Sequence, residues 1–172
     1  MARRLALSLS LAALVASGVA CHKAQETDAR TPRPTTTVWA DILAQRDAMH
    51  VLMTKELEDV THEDCAQLGA DSRKIEDLMG ELRASVAADK NQSEGHLRAL
   101  GDVLGQTDQT VAKIRESALN ETPGAWAKLR FPLDQSLRSV ETYFTAEQLG
   151  DQSVVHRPGF EASPPPSGAS PI

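Results

Sequence analysis

Aromatic side chains are scarce in this chain: two Trp, one Tyr and three Phe make up 3% of 172 residues. Hydrophobic residues nevertheless reach 41%, so Leu, Val, Ile, Met and Ala must fill the core. That mix packs helices more readily than sandwiched sheets, where β-branched and aromatic side chains dominate. No stretch alternates apolar and polar residues with period two, and no sheet is predicted. Basic runs are missing as well. The formal net charge is -6, and setting residues 1–20 aside leaves 16 basic against 24 acidic residues, or -8. An acidic chain without a basic stripe has nothing to neutralise a phosphate backbone, which argues against a nucleic acid partner. Cysteine is limited to Cys21 and Cys65. No apolar run reaches the roughly 20 residues that a membrane-spanning helix needs.

The chain opens with Arg3 and Arg4, then an apolar stretch from Leu5 to Val15, then Ser17, Gly18, Val19 and Ala20 ahead of Cys21. A basic start, a short apolar segment and small residues before a cut read as an export signal. Residues 17–21 resemble the lipobox of bacterial lipoproteins. That resemblance implies diacylation of the Cys21 thiol, cleavage before it, and membrane attachment through the lipid. In that family a residue other than Asp after the cysteine goes with outer-membrane sorting, and here it is His22. The implied location is the cell envelope, at the periplasmic face of the outer membrane or at the cell surface. With Cys21 consumed by lipid, Cys65 stands alone and no intrachain disulfide can staple the fold.

Residues 21–37 are polar and carry two prolines, as suits a flexible tether, and residues 150–172 form a Pro/Ser-rich tail without apolar period. Between them, residues 38–149 show four amphipathic segments. The first runs from Val38 to about Asp59, with Trp39, Ile42, Met49, Met53, Leu57 and Val60 on one stripe. The second starts at the N-cap Thr61, with Glu63 and Asp64 in its first turn, and carries Cys65, Leu68, Ile75, Met79, Leu82 and Val86. The third follows an Asn91 cap and carries Leu97, Leu100, Leu104, Val111 and Ile114. Gly101 and Gly105 flank that stripe, and close approach of a neighbouring helix is the expected reason for them. The fourth opens at Thr122-Pro123 and carries Trp126, Leu129, Leu133, Leu137, Val140 and Phe144. Its rhythm continues through Pro132, so one kinked helix is predicted. The expected fold is all-α, an up-down-up-down four-helix bundle.

Chemistry-bearing residues are few. Arg46 and His50, four apart, fall on the inner face of the first helix near Met53. A buried charge there needs an Asp or Glu from a facing helix. These three residues are the candidate small-ligand site, the alternative being a satisfied buried pair. Met49, His50, Met53, His62 and Cys65 form a soft donor set of the kind that suits copper(I), against which Met and Cys on a core stripe ordinarily serve as packing. Other bundle chemistries fail on spacing. Paired Glu-x-x-His motifs for a di-iron centre are absent, and Ala66 occupies the second ligand position of a zinc-protease motif begun at His62-Glu63. No Gly-x-Ser-x-Gly elbow appears. The architecture of residues 38–149 resembles the cytochrome b562 and cytochrome c′ class, without its haem signature: there is no Cys-x-x-Cys-His and no His in the fourth segment. No cofactor and no catalysis are expected. What remains is a lipid-tethered interaction or scaffold module that contacts an envelope protein, with copper or haem binding around Arg46, His50 and Met53 as the alternative. Phe131 and Tyr143, off the stripe of the fourth segment, are candidates for an exposed apolar patch.

Overall fold

A computed structural model describes residues 32–149 and 151–160, and every regular element among them is helical. Residues 1–20, the candidate lipidation site Cys21, the tether to residue 31 and the tail beyond 160 lie outside the described residues. Six α-helices follow in order: α1 Thr35–Met53, α2 His62–Ala87, α3 Glu94–Leu119, α4 Pro123–Ala127, α5 Arg130–Glu141 and α6 Ala146–Leu149. Helix α2 packs along α1 and α3, α3 along α5 and α4, and α6 lies on α1. None of the described helices is long and apolar enough to cross a membrane.

The helix starts follow local chemistry. Thr61 caps α2 in a reciprocal box: its hydroxyl accepts from the Asp64 amide, and the Asp64 carboxylate accepts from the Thr61 amide. Lys55 donates to the same carboxylate at 2.7 Å. The Lys55 bond, then the two from Thr61, bring the Asp64 pKa down to about 2. Helix α3 is capped by Ser93 rather than by Asn91, because Asp89 draws the Asn91 amide into the preceding turn.

Three further expectations are corrected. The first helix ends at Met53, six residues early. Thr54 turns its hydroxyl back onto the His50 and Val51 carbonyls, Glu56 is extended, and a 3₁₀ turn occupies Leu57–Asp59. Leu57 is consequently 61% exposed rather than core. The fourth segment is two helices, not one kinked helix. The chain breaks at Lys128 and Leu129, so Pro132 falls in the first turn of α5, where a missing N–H orphans no carbonyl. At Gly101 and Gly105 an added Cβ would meet nothing within 4 Å, so neither residue marks a close helix contact.

The stripes themselves form the core. Trp39, Ile42, Leu43 and Met49 from α1 are fully buried, as are Leu68, Ile75, Met79 and Leu82 from α2. Leu104, Val111 and Ile114 from α3 meet Leu133, Leu137 and Val140 from α5. Each such side chain contributes about 1.5–3 kcal/mol through burial. Residues 151–160, expected as part of the tail, instead fold back as a strap. Val154 is completely buried, its amide donates to Glu141 Oε1 at 2.9 Å, and Phe160 packs against the core beneath the Arg138 guanidinium.

Candidate functional site

Helix α1 sends Arg46 and His50 inward one turn apart, and α5 supplies the partner. Asp134 accepts from Arg46 Nε at 2.7 Å and from Nη2 at 2.8 Å, a bidentate fork in which both side chains are 1% exposed or less. The remaining Arg46 nitrogen, Nη1, donates to Asp47 Oδ1 at 2.8 Å and to the Pro158 carbonyl at 2.7 Å. Strap and α1 are joined again by Arg157 Nη1, 3.0 Å from Asp47 Oδ2. His50 Nε2 approaches Asp134 Oδ1 to 3.1 Å without the alignment of a hydrogen bond. Its Nδ1 has no hydrogen-bond partner among the described residues. Gly159 lies against that nitrogen: a Cβ there would sit 3.2 Å from Nδ1, and its φ of 74° favours glycine.

Burial alone would push the Asp134 carboxyl up and the Arg46 guanidinium down. The contacts outweigh it in both cases. His50 and Arg46 hold Asp134 below its ordinary value, and Asp134 with Asp47 raises Arg46 further. Two cations, Arg46 and Arg157, thus face two anions, Asp47 and Asp134. Four of the five guanidinium N–H donors of Arg46 are engaged. Arg46 is thus fully buried and largely bonded to its own chain while the strap is down.

The other candidate residues do not converge. Met49 and Met53 are buried in the core beside this cluster, and Cys65 is buried on α2. His62 is 83% exposed and contacts Glu121 at 2.6 Å. Among the described residues no group of three His, Cys, Asp or Glu could hold a metal ion. Burial pushes the Cys65 thiol up, with Glu121 and Asp64 adding to the effect, the reverse of an activated thiolate. Of the two aromatics expected outside the core, Phe131 is 36% exposed, whereas Tyr143 is half-buried and edge-on to His96.

No family model, curated protein or solved structure matches the chain. The function must therefore be argued from its own surfaces.

An open groove of about 1140 Å³ lies where the end of α1, the end of α3 and α4 meet. Met53, Leu57 and Leu129 give it an apolar floor. Its charged lining is Lys55, itself bonded to Asp64, with Lys113, Lys128 and Arg130 against Glu56 and Glu116, a positive formal balance in a chain whose overall balance is negative. Sequence reading missed the groove because its residues come from a helix end and a break. Asp134 was legible in principle: with Glu141, seven residues on, it flanks the buried stripe of α5, and both acids are buried.

Proposed function

We propose that this chain is an envelope lipoprotein, anchored through lipid on Cys21, whose helical domain acts as a non-enzymatic interaction module. The groove at the α1–α3–α4 end is its docking face, and its partner is a protein segment presenting carboxylates beside apolar side chains. The observation that carries the reading is the reversal of charge sign in the groove. Complementary charge steers such a partner, and the apolar floor gives it surface to bury.

An up-down-up-down arrangement is the reading of the helices that agrees best with their contacts. Thr35 at the start of α1 bonds Ser85 near the end of α2, and Lys55, past the end of α1, bonds Asp64 at the start of α2. The chain enters α1 at the pole of Thr35, and the groove lies at the other end of that helix. A helix of 19 residues is about 28 Å long at 1.5 Å per residue.

The test is site-specific photocrosslinking in intact cells. A photoreactive residue at Leu57, in the groove, is expected to yield a discrete adduct that Lys113→Glu with Lys128→Glu abolishes. The same residue at Val51, equally exposed but outside the groove, is expected to yield none. Identical patterns at both positions refute the docking face. Failure of Cys21→Ser to release the protein from membranes refutes the anchor.

A further inference from the structure

The strap is a peptide bound in a notch of its own chain. Its Pro158 carbonyl lies 2.7 Å from Arg46 Nη1, its Arg157 pairs with Asp47, and its Gly159 lies against His50. Val154 is completely buried, its amide held by Glu141. The contact between Arg46 and Pro158 spans 112 residues of sequence. Residues 154–160 belong to no helix longer than a 3₁₀ turn, so no helix among the described residues has to unwind for them to leave.

We propose that the notch is an exchangeable recognition site and that its second occupant is the strap of another copy of this chain, giving a strap-swapped dimer. The departing strap leaves behind several specific demands. Arg46 loses one acceptor, Asp47 loses a cation, Glu141 loses a donor and the core loses an apolar plug. A segment with Val, Arg and Gly at the register of 154, 157 and 159, and a backbone carbonyl at 158, answers all of them. The glycine is the most selective of these, since a side chain at that position meets both the positive φ and the His50 ring. A second copy carries this segment by definition, and reciprocal exchange restores every contact in both chains. Crowding of chains at a surface favours exchange by raising their effective concentration, although the proposal depends on neither the lipid nor the groove.

The Asp47–Arg157 pair provides the test. In the chain of residues 22–172, Asp47→Arg and Arg157→Asp each set like charges against each other within one copy. When the two variants are mixed, the notch of each meets a strap of opposite charge only across copies. Each variant alone is expected to sediment mainly as monomer. Their equimolar mixture is expected to shift to twice that mass, by at least tenfold in dimer fraction. The double variant, with the pair reversed within one chain, is expected to return to monomer. A mixture that stays monomeric while both variants keep helical spectra and cooperative melts overturns the proposal. If either variant fails to fold, isotope-labelled and unlabelled wild-type chains are mixed, warmed towards the melting transition and cooled at high concentration. Mixed dimers by native mass spectrometry, lost in Gly159→Val, are then the expected result, and their absence in wild type overturns it.

Discussion

Replacing Asp134 by Asn keeps the shape of the side chain and removes its charge. In the folded protein that leaves the Arg46 guanidinium fully buried, with one remaining anion, Asp47, and an amide whose N–H groups face donors instead of accepting from them. Breaking one side of a buried ion pair costs about 3–5 kcal/mol. For a folded unit of this size that corresponds to a fall in Tm on the order of 10–20 °C. Removing both partners is a different perturbation. Arg46→Met with Asp134→Leu takes both charges out of the core together, and most of the lost stability returns, with a coupling of about 2 kcal/mol or more in the double-mutant cycle. Thermal and urea melts followed by far-ultraviolet circular dichroism measure Asp134→Asn, the single variants Arg46→Met and Asp134→Leu, and the double variant. Asp134→Asn within about 1 kcal/mol of wild type, or a double variant no better than the single one, would refute the view that Arg46 depends on Asp134.

Other outcomes follow from features already described. Gly101→Ala and Gly105→Ala, with open space around each added methyl, raise stability by about 0.5–1 kcal/mol apiece in urea melts. Gly159→Ala has the opposite sign, lowering stability by about 1 kcal/mol or more, because its φ of 74° disfavours a side chain and His50 crowds it. The Asp64 pKa lies near 2 in the folded chain, below the ordinary 3.8. Its contribution is therefore complete above the ordinary value and disappears as pH falls through the folded value. Asp64→Asn flattens the loss of stability over that acid window, and urea midpoints that fall as steeply as in wild type would contradict the assignment.

The helical character was legible because apolar residues recur at helical spacing and nothing alternates. Trp126, Leu133, Leu137 and Val140 are buried as their rhythm requires. Their continuity was not legible, since a stripe records which face is apolar and is silent about a turn inserted between two pieces of it. Pro132 was the available signal, because proline is at ease in a first turn and costly in an interior. The inward pair on α1 was also legible: Arg46 and His50 sit on an apolar face, and the need for an acid follows from electrostatics. Which acid answers depends on the packing of α5 against α1, and local spacing does not encode that. The strap was the largest loss. Val154 and Phe160 are too few and too widely spaced to raise a period, and their value comes from Glu141 and Arg138 on α5, while Arg157 and Pro158 answer residues more than a hundred positions upstream.

The notch also bears on what the loss of the strap does to the helices. Any form of the chain that has lost Pro158 holds a buried cation short of one acceptor. A hydrogen bond to a charged group contributes about 1.5–3 kcal/mol, enough to change the population of opened, protease-sensitive forms by roughly one to two powers of ten. A single cut within residues 151–158 would thus be felt at helix α1, turning a peripheral segment into a guard over the stability of a buried charge.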